Sequence, residues 1–221
     1  MPHAPEDLTL DTGAAEVPAI FATPDDPWAT LVIAHGAGAG MGHPWLAGFS
    51  DAMVDAGLAT LRFDFPYRAA GRRFPDRPPA AIATWRAALD AARARAEGTP
   101  VWASGKSYGG RMASMAVAEG ADAAGLVFLG YPLHPPGKPE QLRDAHLYDL
   151  TVPMLFLQGT NDPFAKPVEQ LEDVVRRIGP NAVLEWIDGG GHSFEVAGRK
   201  RTQAELGASA APSVAEFLRQ H

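Results

Sequence analysis

The stretch Gly105-Lys-Ser-Tyr-Gly109 places a serine between two glycines, where an apolar segment gives way to a helix-forming one. Two kinds of chemistry use such a pattern. Gly-Lys-Ser ends the phosphate-binding loop G-x-x-x-x-G-K-[ST], whereas G-x-S-x-G forms a sharp turn that exposes a nucleophilic serine. The phosphate loop needs a glycine at position 100, but that residue is Pro100, and Trp102 occupies the segment that would curl around phosphates. We therefore favour Ser107 as a nucleophile over nucleotide binding.

A serine hydroxyl needs a base, and the base needs a carboxylate to orient it. After a G-x-S-x-G turn these partners follow in the order serine, acid, histidine. His192 lies in a glycine-rich segment after the last apolar run, and Asp162 follows the run before it. Asp188 is an alternative acid, but it lies only four residues before His192. The sequence therefore predicts a catalytic triad of Ser107, Asp162 and His192.

A serine nucleophile also needs N–H groups that stabilise the oxyanion formed during acyl transfer. One donor is expected to be the backbone N–H of Tyr108, the residue after the nucleophile. The second is expected from the glycine-rich segment His35–Gly40, with Ala37 as the preferred donor and Gly38 as the competitor. His35 itself is expected to hold this loop in place rather than act as a second base.

The elements that must position these residues alternate along the chain. Short apolar runs without a polar alternation predict strands covered on both faces, and helical segments lie between them. We therefore expect a mostly parallel sheet with helices on both faces, an α/β fold of one domain spanning residues 1–221, with an edge hairpin from residues 8–12 and 17–22. The predicted strands are Leu31–Gly36, Ala59–Phe65, Pro100–Ser104, Gly125–Gly130, Pro153–Gly159 and Ala182–Asp188, and the helices are Pro44–Gly57, Pro79–Gly98, Tyr108–Glu119, Pro167–Ile178 and Thr202–Arg219.

Composition excludes several classes of function. The 221 residues include no cysteine, which removes disulfides, thiolate catalysis and cysteine-ligated metals. The formal net charge of −7 argues against a broad nucleic-acid surface. The first residues lack the basic and apolar regions of a secretory signal, and no apolar run is long enough to span a membrane. We expect a cytoplasmic protein without metal or other cofactor, whose partner is a small acyl substrate rather than nucleic acid or a membrane.

The motifs together resemble the alpha/beta-hydrolase superfamily, close to dienelactone hydrolase-like proteins. The resemblance is carried by HGAGAGMGHP, LRFDFPYR, GKSYGGRMAS, LGYPLHPPGKPE, LQGTNDPF and GGGHSF, in this order from Leu31 to Phe194. The chain looks most like a small hydrolase-like group that includes a subunit of a nonspecific-lethal chromatin complex and a testis-expressed protein. The resemblance implies an alpha/beta-hydrolase fold with Ser107 as nucleophile, Asp162 as acid and His192 as base. Dienelactone hydrolases use a cysteine nucleophile, so their substrate does not carry over.

The chain between the strands that end at Gly130 and begin at Pro153 is too short for a cap domain. We therefore expect an open site for a small ester, with walls from Tyr108 and from the pocket candidates Gly38, Phe65, Tyr131 and Phe164. The arginines of residues 68–77 follow a strand end and could favour an anionic substrate, although a solvated loop is the simpler interpretation. The alternative function is a binding or scaffold protein that keeps the fold without turnover.

Overall fold

A computed structural model describes residues 4–221. Eight strands form one sheet in the order β1-β2-β4-β3-β5-β6-β7-β8. The strands are β1 (Glu6–Asp11), β2 (Glu16–Ala22), β3 (Thr30–Ala34), β4 (Ala59–Phe63), β5 (Val101–Lys106), β6 (Leu126–Leu129), β7 (Met154–Gly159) and β8 (Ala182–Ile187). From β4 to β8 in this order all neighbours are parallel, while β1 and β2 form the expected antiparallel hairpin, and β2 runs antiparallel to β4.

The helices cover both faces of this sheet. They are α1 (Pro44–Asp55), α2 (Pro66–Ala69), α3 (Pro78–Arg93), α4 (Tyr108–Ala118), α5 (Val168–Ile178), α6 (Gln203–Ala208) and α7 (Ala211–Gln220), with a 3₁₀ turn at Ala145–Asp149. Helices α3, α4 and α5 contribute to one apolar core and α1, α6 and α7 to the other.

Strand periodicity explains why there are two cores. Successive side chains of a strand point to opposite faces, so Val32 belongs to the core beneath α3 and Ile33 to the core beneath α1. All residues of β3 to β7 are buried, whereas the edge strand β8 is mostly half-buried. The continuous apolar runs of the central strands are thus explained by burial on both faces.

One predicted helix is wrong in the structure. The single helix expected over Thr202–Arg219 is two helices, α6 and α7, separated at Ser209 and Ala210. Pro212 lies in the first turn of α7 and has no N–H to donate to the carbonyl four residues earlier, so it ends one helix and begins the next. Among residues 4–221, no helix combines the length and apolar character needed to cross a bilayer.

Candidate active site

Ser107 lies on the turn between the end of β5 and the start of α4. Its backbone has φ 50° and ψ −114°, a left-handed conformation that a non-glycine residue adopts only when its surroundings enforce it. The backbone segments around this turn can approach one another closely because glycines flank the serine. A Cβ on Gly109 would lie 2.7 Å from the carbonyl oxygens of Ala34 and His35, and one on Gly105 would meet the backbone of Gly110. The glycines therefore allow the turn that exposes the serine.

Asp162 and His192 meet at the same edge of the sheet. Asp162 lies in the turn after β7 and His192 in the loop after β8, and His192 Nδ1 lies 2.6 Å from Asp162 Oδ2. Because the carboxylate accepts, the Nδ1 proton is directed to Asp162, which leaves Nε2 of the imidazole available to another group. Asp188, the alternative acid, is exposed and does not take this position.

The Asp162 carboxylate is held by two further donors. The Gln158 side-chain amide donates to Oδ2 at 2.6 Å, and the Phe164 backbone N–H donates to Oδ1 at 2.9 Å. Asp162 is fully buried, whereas the His192 side chain is 23% exposed. A buried carboxylate with three donors has a fixed orientation, and it fixes the imidazole in turn.

A cavity of about 280 Å³ lies at this edge of the sheet, and both Ser107 and His192 line it. Phe164 also lines it, with its ring 4.4 Å from the His192 ring, as expected for a pocket residue. Ala37 contributes from the glycine-rich loop after β3. The structure thus brings the predicted nucleophile, the predicted base and one predicted oxyanion donor to a single cavity.

Hydrogen bonding within the glycine-rich loop distinguishes Ala37 from Gly38, the two candidates for the second oxyanion donor. The Gly38 N–H donates to the Tyr67 hydroxyl at 3.2 Å, whereas the Ala37 N–H has no acceptor among the described residues. Tyr108 is the first residue of α4, where a backbone N–H has no intrahelical acceptor. The N–H groups of Ala37 and Tyr108 therefore remain available to a substrate oxygen.

His35 fixes the base of the same loop. Its Nδ1 lies 2.8 Å from the Gly36 carbonyl and its Nε2 accepts from the Phe65 N–H at 3.3 Å. Burial lowers the pKa of His35, and the carbonyl of Gly36 and the carboxylate of Asp64 oppose this shift only in part. A neutral imidazole that bridges two backbone segments fits the structural role expected for His35.

Three of the four pocket candidates do not line this cavity. Phe65 and Tyr131 are buried in the core, where Phe65 packs against His35 and Phe63 and the Tyr131 hydroxyl donates to the Arg143 carbonyl. Gly38 is turned toward Tyr67. The expected walls from Phe65 and Tyr131 are corrected: both rings are fully buried against other aromatic side chains of the core and do not line the cavity. The Tyr108 ring likewise packs on Phe65 rather than lining the cavity.

The structure adds cavity residues that sequence reasoning missed. Three of them, His43, Trp45 and Leu46, lie at the start of α1. The other two are Lys106, directly before the predicted nucleophile, and Ser193, directly after the predicted base. The signal for His43 and Trp45 was their place just after the glycine-rich loop. The arginines of residues 68–77 do not line the cavity, and Arg72 pairs with Asp76 at 2.6 Å. Within residues 4–221 no cluster of His, Asp or Glu side chains is arranged to hold a metal ion.

Comparison with known proteins places this geometry in a family. Residues 27–219 match the alpha/beta hydrolase domain family. Similar solved structures include a lidless serine hydrolase from Xanthomonas campestris (19% identity, TM-score 0.78, covering 100% of this chain and 96% of that one). A dienelactone hydrolase from Anabaena variabilis (21%, 0.76, 99% of both chains) and an alpha-beta serine hydrolase homologue from Coxiella burnetii (18%, 0.73, 97% and 96%) share the fold. The family match covers most of the chain, and the order and direction of the strands agree with it, so this protein belongs to the alpha/beta hydrolase family.

Proposed function

We propose that the protein is a serine hydrolase, a carboxylesterase-like enzyme that cleaves small acyl esters through Ser107, His192 and Asp162. The observation that carries the proposal is the hydrogen bond of 2.6 Å from His192 Nδ1 to the buried Asp162, beside a cavity that Ser107 also lines. It supports this role because a neutral imidazole oriented through Nδ1 presents Nε2 as a base.

The proposed reaction proceeds by acyl transfer to the serine. His192 Nε2 takes the Ser107 proton as the hydroxyl oxygen attacks the ester carbonyl, and the Ala37 and Tyr108 N–H groups bind the oxyanion. The tetrahedral intermediate collapses, and His192 returns the proton to the departing alcohol. Water then attacks the acyl-enzyme, giving its proton to His192, and the carboxylic acid leaves as Ser107 recovers its proton.

The size of the cavity and the lack of a cap favour a small ester. The segment from Gly130 to Pro153 holds only loops and the short 3₁₀ turn, so no domain covers the site. A cavity of about 280 Å³ accommodates a short acyl or alcohol group better than a long chain. The narrower grouping with the chromatin-complex subunit and the testis-expressed protein remains a prediction, as does the cytoplasmic location.

A fluorophosphonate probe tests the proposal, because it phosphonylates a serine only when a base activates it. We expect the wild type to be labelled and to hydrolyse p-nitrophenyl acetate, and Ser107→Ala to do neither. Ser213→Ala, on α7 away from the cavity, is the matched control and should behave as wild type. A folded wild type without labelling or turnover would instead favour the scaffold alternative.

A further inference from the structure

Two consecutive carbonyls of the loop that carries His192 are held by donors from other parts of the chain. Lys106 Nζ donates to the His192 carbonyl at 2.6 Å, and Trp45 Nε1 donates to the Ser193 carbonyl at 3.0 Å. Lys106 is the last residue of β5 and Trp45 lies in the first turn of α1. The base-bearing loop is thus tied to two separate elements that also line the cavity.

The Lys106 ammonium is enclosed. Its residue is only 8% exposed, and the head lies 5.8 Å from the Trp45 ring centroid and 6.0 Å from that of Phe194. A Cβ at Gly130 would lie 3.3 Å from Nζ and 3.0 Å from the His192 carbonyl oxygen, so a side chain there would intrude on this pair. Burying an ammonium group is costly unless it is paired and hydrogen-bonded. A lysine whose ammonium group is buried in this way is therefore expected to have a specific role.

We propose that Lys106 is a positioning residue that holds the His192 backbone in place. The imidazole thereby keeps its position relative to Ser107, the residue that follows Lys106 in the chain. The proposal rests on the proposed serine hydrolase function. Its geometric basis is that the residue directly before the candidate nucleophile donates to the carbonyl of the candidate base. Ser107 directly follows β5 and His192 lies in the loop after β8, and the Lys106 side chain joins these two segments at the edge of the cavity.

The loop that carries His192 depends on the hydrogen bond from Lys106 because its backbone is strained. Phe194, two residues after His192, has φ 70°, a left-handed conformation that costs free energy in a non-glycine residue. A strained loop keeps its shape only while its contacts over-determine it. Without the Lys106 donor, we expect the loop to relax and the imidazole to shift, and a displacement of about 1 Å can reduce turnover about 100-fold.

The charges around Lys106 agree with this arrangement. Asp162 and Glu195 are the acidic groups that face it, while the Trp45 and Phe194 rings supply the apolar part of its surroundings. Burial lowers the pKa of Lys106 to about 8, and the two carboxylates oppose that shift. The ammonium is therefore present at neutral pH, where its hydrogen bond to the carbonyl is charge-assisted.

Lys106→Met tests the proposal, because methionine keeps the length and apolar stem but removes the donor. We expect kcat for p-nitrophenyl acetate to fall about 10- to 100-fold, with a smaller change in KM and no loss of thermal stability. Lys138→Met, at an exposed lysine of the loop after β6, is the matched control and should match the wild type. An unchanged kcat in Lys106→Met would overturn the proposal, as would a fall in kcat accompanied by an equal fall in Lys138→Met.

A second readout separates this proposal from the hydrolase function itself. The imidazole ¹⁵N signals of His192, assigned with His192→Gln, report its tautomer without any turnover. We expect one tautomer, protonated at Nδ1, in the wild type, and a mixture or shifted signals in Lys106→Met. If the wild type neither labels nor turns over, the hydrolase proposal fails, and the His192 signals still decide the role of Lys106. His192 signals in Lys106→Met that are identical to those of the wild type would exclude the positioning role of Lys106.

Trp45→Phe provides a second variant if Lys106→Met does not fold. Phenylalanine keeps an aromatic ring against Phe194 but removes the donor to the Ser193 carbonyl. We expect it to shift the His192 signals in the same direction, since it releases the adjacent carbonyl of the same loop. Signals identical to those of the wild type in this variant would contradict the claim that these donors hold His192.

Discussion

Asp162 and His192 are 30 residues apart in the chain, yet Oδ2 of the first lies 2.6 Å from Nδ1 of the second. The pair forms because β7 and β8 are parallel neighbours, which brings the segments after both strands to the same edge of the sheet. The carboxylate is fully buried and also accepts from Gln158 and Phe164. The orientation of the imidazole is therefore decided by a group that solvent does not reach.

Replacing the acid tests the pair directly. Asp162→Asn keeps the size of the side chain but presents an amide to His192, which favours the wrong tautomer of the base. We expect kcat to fall about 10⁴-fold with the fold retained. The measurement is steady-state hydrolysis of p-nitrophenyl acetate together with circular dichroism. Asp188→Asn, at the exposed alternative acid, should retain wild-type kcat, and a comparable loss there would contradict the assignment.

Gln158 tests the support of the acid. Its amide donates to Asp162 at 2.6 Å, while its own Oε1 is buried and has no hydrogen-bond partner among residues 4–221. Gln158→Met removes both the donor and the unpartnered oxygen, so the two effects on stability oppose each other. We expect kcat to fall about tenfold, consistent with the loss of a hydrogen bond to a charged group of about 1.5 kcal/mol, and a melting temperature close to that of the wild type. Equal kcat values in variant and wild type would show that Gln158 does not orient the acid.

Tyr67 tests the glycine-rich loop. Its hydroxyl accepts from the Gly38 N–H, and burial raises its pKa, so the hydroxyl stays protonated across the working range of pH. We expect Tyr67→Phe to lower kcat about fivefold, the equivalent of a net hydrogen bond of about 1 kcal/mol, because Ala37 is then less well positioned. Tyr131→Phe removes a comparable hydrogen bond, to Arg143, away from the cavity, and should leave kcat unchanged. A similar loss in both variants would count against a role for the loop.

Replacing Gly109 tests the steric basis of the turn that carries Ser107. A Cβ there would lie 2.7 Å from two backbone carbonyl oxygens, which cannot move without shifting β3. We expect Gly109→Ala to lose about 1–3 kcal/mol of unfolding free energy in urea titrations, or to fail to fold. Apart from its two chain neighbours, no described residue has a heavy atom within 4 Å of a Cβ placed on Gly42, so Gly42→Ala should stay within about 0.5 kcal/mol of wild type. Wild-type stability in Gly109→Ala would mean that the turn is looser than the structure shows.

The buried lysine predicts a specific dependence of stability on pH. The pKa of Lys106 is lowered from 10.5 to about 8 in the folded protein, so between these values the unfolded chain binds more protons at this position. The contribution of Lys106 to the unfolding free energy therefore rises with pH from about 8 to about 10.5. Relative to Lys106→Met, the wild type should gain stability over this range, as measured by urea unfolding at several pH values. A constant difference would indicate that the ammonium is solvated.

The alternation of strands and helices could be predicted from the sequence alone, and the sequence also supplied the candidates for the catalytic residues. The continuous apolar runs of β3 to β7 predicted a sheet covered on both faces, which the two separate cores confirm. The glycines around Ser107 are a local feature that can be recognised in the sequence, and the order of serine, acid and histidine along the chain made Asp162 and His192 the candidate partners of Ser107. Most predicted element ends lie within two residues of the observed ones, but the helix predicted over Pro79–Gly98 ends at Arg93. The short helix α2 was not predicted, and neither was the break before Pro212 that separates α6 from α7.

The side chains that surround the site could not be predicted in the same way, because they depend on packing between segments that are far apart in the chain. Phe65 and Tyr131 follow strands, as Phe164 does, yet the first two pack into the core and only Phe164 reaches the cavity. Phe65 and Tyr131 pack against other aromatic side chains of the core, whereas the Phe164 ring lies against that of His192. The same holds for Lys106, whose partner is the carbonyl of His192, 86 residues away. A sequence pattern indicates on which face of a strand or helix a residue lies. Which residues contact that face depends on packing between segments that are far apart in the chain.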